Sequence, residues 1–284
     1  MRLALLSPIH GQSIDHIARQ LENYRTFLMP FQLRHFLHLS LESSASLQHE
    51  LLDYADQHGH DIVFTQHRRR TWRHCTANAL KELISCASSH PESHHSFFIH
   101  TDSDLLFSPK VKKIIRSRRI ACGSKALNPK SKWKWNGPAQ QDPRLKAFAR
   151  DYADSNFRNL YKGRVCGCSL PQKTFLQFSE IYLKYFNLDY IETNPGSEWP
   201  LAEIAIPSIL RLAIDPSPTP FHPALISAPK TKTITVNSIK QALRKKSSYG
   251  MKKIARDTHS EAFTFLMDLQ LKAQNKHALN ASHR

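Results

Sequence analysis

The sequence has 284 residues, of which 40% are hydrophobic and 22% are charged, and these proportions are ordinary for a globular protein. Its apolar runs are too short to cross a bilayer, so no transmembrane segment is predicted. The 40 Lys and Arg side chains outnumber the 23 Asp and Glu side chains, which gives a formal net charge of +17. A nucleic acid, an anionic lipid surface or a phosphorylated substrate would each be attracted by such a charge.

The start of the chain and its cysteines indicate a cytoplasmic protein. MRLALLSPIHG has no small-residue cleavage site, so we interpret it as a first strand and not as a signal peptide. The five cysteines are odd in number and dispersed. Cys166 and Cys168 alternate on a predicted strand and point to opposite faces, which disfavours both a disulfide and a zinc knuckle. Free thiols in a reducing compartment are therefore expected.

The first half of the sequence alternates between strand and helix patterns. Strands are predicted where apolar residues alternate or run together, and helices where they recur every three or four residues. In chain order, we predict strand 2–6, helix 12–28, strand 31–40, helix 44–59, strand 61–66, helix 71–88 and strand 96–100. This alternation is typical of a layered α/β fold with a sheet that is mostly parallel at its centre. Ligands of such sheets bind at the carboxyl ends of the strands.

After residue 141 the pattern changes. In chain order, we predict helix 144–161, strand 163–171, helix 172–186, strand 188–193, helix 199–213 with an interruption at Pro207, and the irregular Pro-rich segment 215–224. We expect one layered domain over residues 1–225. Residues 226–284 are predicted to form a basic, mainly helical C-terminal extension.

The segment HHSFFIHTDSDLLF places two carboxylates, Asp102 and Asp104, directly after a buried strand. Like charges this close repel unless something neutralises them. Two oxygen ligands one residue apart suit Mn²⁺ or Mg²⁺, which keeps open positions for the diphosphate of a nucleotide. A solvated Asp-Ser-Asp turn is the alternative, but the apolar strand before it favours the metal site.

The stretch SFFIHTDSDLLFSPKVKKII resembles the central segment of the nucleotide-sugar glycosyltransferases of the GT-A fold, with an apolar strand, a D-x-D motif, a short apolar run and a helix. Further along, GRVCGCSLPQKTFLQF is similar to the glycine-containing strand and helix on their acceptor side. NPGSEWPLAEIAIPSIL is similar to the loop and helix where inverting members place an acidic base. The resemblance covers about residues 1–225, and it implies a donor half at 1–141 and an acceptor half at 142–225.

The resemblance implies a metal site and a nucleotide site. Asp104, with Asp102 directly or through water, would hold Mn²⁺ or Mg²⁺ against the diphosphate of the donor. A histidine far downstream closes the metal site in several members, and His222 is the candidate here, although a loop histidine facing water is the alternative. The donor-binding residues implied or indicated by position are Ser7, Pro8, His10, Gly11, Arg70, Arg73 and Ser103.

On the acceptor side, the resemblance implies that Glu198 is the general base that deprotonates an acceptor hydroxyl. Trp199 would stack on a sugar face, and Gly167 would border the acceptor. Glu198 is followed by Trp199 where inverting members often have a second acid. Two alternatives stay open at this point: Glu198 is a helix N-terminal acid, or Glu203 is the base instead.

We therefore expect a metal-assisted, inverting glycosyltransferase with a nucleotide-sugar donor. Its acceptor would be a surface glycan or a lipid-linked precursor. The basic C-terminal region is predicted either to contact an anionic membrane peripherally at its inner face or to pack on the core with its bases outward. The alternative function is nucleic-acid binding or a nuclease, because Trp72, Trp133 and Trp135 lie among basic residues. No known nucleic-acid motif supports it.

Overall fold

The first strand, β1 (Arg2–Ile9), is apolar on both faces and lies at the centre of the main sheet. Side chains of a strand point alternately to its two faces. Leu3 and Leu5 accordingly pack in one hydrophobic cluster, and Ala4 and Leu6 pack in another on the opposite face. The sequence RLALLSPI thus requires a layer of helices on each side of the sheet.

The structure is a computed structural model that describes residues 1–71, 75–90, 92–128, 130, 132–227, 229, 234–245, 247–254 and 257–282, with side chains as far as residue 275. Its further strands are β2 (Gln32–Leu39), β3 (Asp61–Phe64), β4 (Ser96–Ile99), β5 (Leu105–Leu106), β6 (Lys125–Ala126), β7 (Tyr161–Lys162), β8 (Cys168–Pro171), β9 (Ile226–Ser227) and β10 (Gly250–Met251).

The helices are distributed along the whole chain. They are α1 (Ile14–Leu28), α2 (Leu47–His58), α3 (Thr76–Ser88), α4 (Val111–Arg116), α5 (Asn136–Gln141), α6 (Pro143–Tyr152), α7 (Gln172–Tyr185), α8 (Asp189–Thr193), α9 (Ala202–Ser208), α10 (Val236–Leu243) and α11 (Glu261–Ser282). A 3₁₀ turn at Phe157–Asn159 and a π-helical segment at Ile209–Ile214 complete the regular structure.

The main sheet has the strand order β3-β2-β1-β4-β8. Its first four strands are parallel, and β8 runs antiparallel to β4 at the edge. Helices α3, α6, α7 and α9 pack against one face of the sheet, and α1, α2, α4 and α11 lie on the other side. The prediction of a layered α/β fold with a mostly parallel central sheet is confirmed.

Local signals account for the helices that were predicted well. The side chain of Ser13 accepts the N–H of His16 at the start of α1. Helix α2 ends at Gly59, which adopts a left-handed conformation with φ 67° and donates its N–H to the carbonyl of Ala55.

The C-terminal region is largely helical, as predicted, but it also contributes strands. β10 pairs with β5 and β9, and the order of this small sheet is β5-β10-β9. β5 follows directly after Asp104, so residues beyond 225 contact the segment that carries the two carboxylates. The division at residue 225 stays a prediction. Among the described residues, no helix combines the length and apolar character needed to cross a membrane.

Several predicted elements differ from the structure. Helix α8 (Asp189–Thr193) lies where a strand was predicted, because LDYIET is too short for its periodicity to distinguish the two. Pro207 lies inside α9 without ending it, and the chain continues directly into the π-helical segment. A proline lacks the N–H that an α-helix needs, and the helical hydrogen-bond pattern changes just after it.

Gly167 directly precedes β8 and is buried where β9 approaches the beginning of that strand. Its φ of +84° favours glycine. A Cβ at this position would lie 2.3 Å from the amide nitrogen of Ile226. We expect Gly167→Ala to lower the free energy of unfolding by about 2–4 kcal/mol, from backbone strain and overpacking together.

Gly196→Ala is the matched control, because Gly196 has nearly the same φ, +86°, with nothing within 4 Å of an added Cβ. It should cost about 1–2 kcal/mol, the backbone strain alone. Urea denaturation of both variants measures the difference. Equal losses would show that the contact with Ile226 is unimportant.

Candidate functional site

The carboxyl ends of β1 and β4 lie side by side because the two strands are parallel neighbours, with Leu6 opposite Ile99. This register brings the loop after β1 to the Asp-Ser-Asp turn after β4. The backbone N–H of His10 donates to Oδ2 of Asp102 at 2.6 Å. Nε2 of His16, from α1, donates to the carbonyl oxygen of Asp102 at 2.8 Å.

A cavity of about 510 Å³ opens at this edge of the sheet, and we call it the His10 cavity. Its floor is formed by the ends of β1 and β4, and the tail segment after β10 forms one wall. Its lining residues are Pro8, His10, Gln12, Thr71, Thr76, Thr101, Asp102, Ser103, Lys252, Lys253 and Ile254.

A second cavity of about 380 Å³, the Glu203 cavity, adjoins the first. It contains an acid, two indole rings and several cations. Its lining residues are Thr76, Ala77, Thr101, Trp133, Trp135, Arg164, Val165, Cys166, Pro200, Ala202, Glu203, Lys252 and Lys253. Four residues border both cavities, so the two form one cleft: Thr76, Thr101, Lys252 and Lys253.

Asp104 lies beneath this cleft and not in it. Its exposed fraction is 0%, and it lines neither cavity. Its Oδ2 accepts the backbone N–H of Thr101 at 2.8 Å, while its Oδ1 has no hydrogen-bond partner within the described part of the chain. Burial raises the pKa of Asp104, and the charge of Lys252 opposes that rise.

Lys252 lines both cavities of the cleft. Its Nζ donates to Sγ of Cys166 at 2.8 Å. Burial opposes the charge of its ammonium group, but the neighbouring ionisable groups Cys166, Asp104 and Glu203, in that order, outweigh burial and raise its pKa. Burial, with the charge of Asp104, raises the pKa of Cys166 to about 12, so this residue is a thiol at neutral pH. Lys252 is therefore a cation at the junction of the two cavities.

Glu203 is the acid that faces the Glu203 cavity. It lies in the first turn of α9, and its backbone carbonyl accepts the N–H of Gly163 at 2.8 Å. Burial raises the pKa of its carboxyl group, and the nearby cations Lys252, Arg164 and Lys162 oppose that rise. A carboxylate with a raised pKa is better suited to remove a proton near neutral pH than an exposed one.

The predicted metal ligands do not come together. Asp102 lines the His10 cavity, Asp104 is buried, and His222 lines a different cavity beside Arg118 and Arg119. His222 forms an isolated bridge with Ala121, and its ring stacks on Tyr249. Among the described residues, no three His, Cys, Asp or Glu side chains are placed to hold a metal ion. The structure therefore does not bring Asp102, Asp104 and His222 together as one ligand set.

The predicted donor-binding residues are placed unevenly. Pro8, His10 and Ser103 line the His10 cavity. Ser7 is fully buried within β1 and lines neither cavity, so it does not face a ligand there. Gly11 is exposed just beyond β1, with φ 59°.

Arg70, one of the two predicted basic residues, is paired with a carboxylate near the His10 cavity. Nε of Arg70 lies 3.1 Å from Oε1 of Glu42, and Glu42 lies 3.8 Å from Nδ1 of His10. Arg70 is thus connected to the rim of the His10 cavity through one carboxylate. Arg73 lies outside the described residues.

The predicted acceptor-side residues Gly167 and Trp199 both donate hydrogen bonds to other residues of the protein. Gly167 is buried and donates its N–H to the carbonyl of Ile99 at 2.8 Å. Trp199 is 3% exposed, and its indole N–H donates to Oδ2 of Asp142 at 2.9 Å. Both residues are buried, and neither lines the His10 cavity or the Glu203 cavity. Glu198 is half-buried near Cys75 and lines neither cavity.

Sequence reasoning missed the residues that join the cavities. Lys252 and Lys253 were interpreted only as part of a basic tail, and Trp133 and Trp135 as nucleic-acid-binding aromatics. The letters GMKK carry no local signal that could have found these residues. In the structure, Lys253 has a φ of 68°. Left-handed backbone at a non-glycine residue is often found at functional sites.

The fold and the cleft define an α/β protein whose ligand site lies at the carboxyl ends of a mostly parallel sheet. No protein-family model matches the sequence, and no curated protein matches it. The solved mannosyltransferase PcManGT from Pyrobaculum calidifontis, in complex with GDP-Man and Mn²⁺, is 15% identical over 46% of this chain, with a TM-score of 0.32.

Two solved structures of TarS from S. aureus are similar to the same extent. One is 9% identical over 47% of this chain with a TM-score of 0.31, and the other, residues 1–349 in complex with UDP-GlcNAc, is 10% identical over 46% with a TM-score of 0.31. The chain spans 36% of the mannosyltransferase and 23% and 36% of the two TarS chains. At such scores the likeness identifies neither a family nor a function.

The hydrogen bond from Trp199 to Asp142 predicts a structural role for this indole. Asp142 is buried and begins α6 by accepting the N–H of Arg144. We expect Trp199→Phe to lower the free energy of unfolding by about 1–3 kcal/mol, because a buried carboxylate loses a donor. Trp135→Phe, which changes a cavity residue, should cost less stability. Thermal denaturation checks both, and equal stability of Trp199→Phe and wild type would contradict the assignment.

Proposed function

We propose that this protein is a glycosyltransferase that moves a sugar from a nucleotide-diphosphate sugar to a glycan or glycolipid acceptor. One observation carries the proposal: the His10 cavity, beside Asp102, meets the Glu203 cavity at a shared cation, Lys252. A group transfer needs a donor and an acceptor in contact, with a base on the acceptor side. The resemblance of the D-x-D segment to GT-A enzymes, which implies a nucleotide-sugar donor, supports the same conclusion.

The His10 cavity is the donor side of this proposal. Its volume of about 510 Å³ is in the range of small-molecule sites. Pro8 and His10 would lie against the nucleotide, and Lys252 and Lys253 would face its diphosphate. Cations beside a diphosphate stabilise the charge that develops on it as it leaves.

The Glu203 cavity is the acceptor side. Trp133 and Trp135 offer apolar ring faces on which a sugar can pack. Glu203 would accept the proton of the acceptor hydroxyl as that oxygen attacks the anomeric carbon and the nucleotide diphosphate leaves. Direct attack by the acceptor inverts the configuration at that carbon. In this proposal Glu203 replaces Glu198 as the base.

No step of this mechanism passes through a metal ion, because Asp102, Asp104 and His222 do not converge. Charge on the leaving diphosphate is instead balanced by side chains of the chain itself. These side chains are Lys252 and Lys253, which both line both cavities. The Asp102 carboxylate, held by the N–H of His10, would orient donor hydroxyl groups that face the same cavity.

The placement of the tryptophans favours this proposal over nucleic-acid binding. Trp133 and Trp135 are partly buried and line a cavity beside an acid, whereas single-stranded nucleic acid stacks on exposed rings in a basic groove. Trp72 lies outside the described residues. The cytoplasmic location and the peripheral membrane contact stay predictions.

Glu203→Gln tests the base. Nucleotides that bind the wild type are first found by calorimetry with a panel of nucleoside diphosphates. The matching sugar donors are then assayed for nucleotide release with candidate glycan acceptors. The variant should bind the nucleotide with normal affinity. Its rate of nucleotide release from the sugar donor should fall about 10²–10⁴-fold, since removal of a general base costs that much. Glu198→Gln is the matched control and should keep most of the rate. The reverse pattern would return the role to Glu198.

The raised pKa of Glu203 predicts the pH dependence of the same rate. The base works only when ionised, so the rate should fall as pH decreases through a pKa that burial has moved above the ordinary glutamate value. The acidic limb of the wild-type profile should be missing in Glu203→Gln. An unchanged limb in that variant would assign the titrating group elsewhere.

A further inference from the structure

Lys252 occupies the place in this cleft where a cation would meet the donor diphosphate. It lines the His10 cavity and the Glu203 cavity at once, so its ammonium group borders both sides of the transfer site. Its Nζ is held by the hydrogen bond to Sγ of Cys166 at 2.8 Å. One positive charge thus borders both cavities, and it acts electrostatically on the buried carboxyl group of Asp104.

The position of Lys252 is fixed by several backbone contacts. Its N–H donates to the carbonyl of Ser227 at 2.8 Å, and the N–H of Ile254 donates to the carbonyl of Ser103 at 2.9 Å. The second contact attaches the tail directly to the middle residue of the D-x-D motif. Gly250 allows the close approach, because a Cβ there would lie 2.8 Å from the carbonyl oxygen of Leu105.

The charges in the site match one ammonium group better than a divalent ion. Asp104 is fully buried, with Oδ2 occupied by the N–H of Thr101, and it has no surface in either cavity from which to reach an ion. Of the two motif carboxylates, only Asp102 lines the His10 cavity, and its Oδ2 already accepts the N–H of His10. A divalent ion beside Asp102 would also stand near Lys252 and Lys253, and like charges repel.

We propose that Lys252 binds the diphosphate of the donor directly, in the role that a divalent cation has at other D-x-D motifs, so that nucleotide binding requires no divalent metal ion. This inference rests on the proposed function. An ammonium group has three N–H donors, and one of them is directed to Cys166. The proposal assigns the others to oxygen atoms of a diphosphate in the His10 cavity, which Lys252 lines.

The test is calorimetric titration of UDP, GDP, ADP, CDP and dTDP into the full-length chain, once in EDTA and once in Mn²⁺. We expect one nucleotide to bind with affinities that agree within about twofold in the two conditions, since the chain itself supplies the charge. Lys252→Met should weaken that binding by about 10–100-fold, as expected for a lost charge-assisted hydrogen bond. Lys245→Met, the same change at an exposed lysine that lines neither cavity, should not weaken it.

A second variant covers the case in which Lys252→Met fails to fold because Asp104 is left as an uncompensated buried charge. Lys252→Met with Asp104→Asn replaces both charges and should fold, yet still lose the binding. Binding at wild-type strength in this double variant would overturn the inference.

The remaining outcomes separate the inference from the proposed function. Binding in Mn²⁺ but not in EDTA would overturn the role of Lys252 and leave the glycosyltransferase proposal standing. Binding of no nucleotide in either condition, by a chain shown to be folded, would overturn the proposed function itself. Binding in EDTA that survives Lys252→Met would assign the diphosphate to other groups.

Discussion

The burial of the Asp104 carboxylate is the constraint to which the site owes its arrangement. An ionised group with no contact with water must be compensated by hydrogen bonds or by an opposite charge. Asp104 receives one backbone N–H, from Thr101, and the charge of Lys252. The compensating residue, Lys252, is far from Asp104 in sequence, so the C-terminal part of the chain has to pass close to Asp104. It does so through the small sheet β5-β10-β9, in which β10 pairs with β5.

The same compensation explains why two cavities meet at one residue. The tail crosses the carboxyl ends of β1 and β4 to reach Asp104, and so it divides the space above the sheet. One part is left beside the loop after β1, and the other is left beside α9. Nζ of Lys252 donates to Sγ of Cys166 from this crossing, and the side chain of Lys252 borders both parts. Glu203 then lies across the second part, where a nearby cation favours its ionised form.

The sequence predicted the layered sheet because each early element carries its own local signal. β1 is a continuous apolar run, α1 begins at Ser13 and α2 ends at Gly59. The position of the carboxylates at the end of β4 was predictable for the same reason. Lys252 was not, since β5 and β10 are two-residue strands that have no periodicity to read. Their pairing is decided by long-range packing and charge, which act between residues separated by most of the C-terminal half.

The sequence also did not predict that the two carboxylates of the D-x-D motif have different surroundings. The local backbone geometry explains why. In an extended strand Asp102 and Asp104 would point to the same side, and both could hold one ion. Here the chain turns after Thr101: the N–H of Asp104 donates to the carbonyl of Thr101 at 3.1 Å, and the side chain of Asp104 accepts the N–H of Thr101. An aspartate that bonds its own turn in this way is drawn beneath the backbone, as aspartates often are in turns. The two carboxylates thus have different surroundings: Asp102 lines the His10 cavity, and Asp104 is buried against the backbone of Thr101. Two acidic letters one residue apart therefore do not by themselves define a shared metal site.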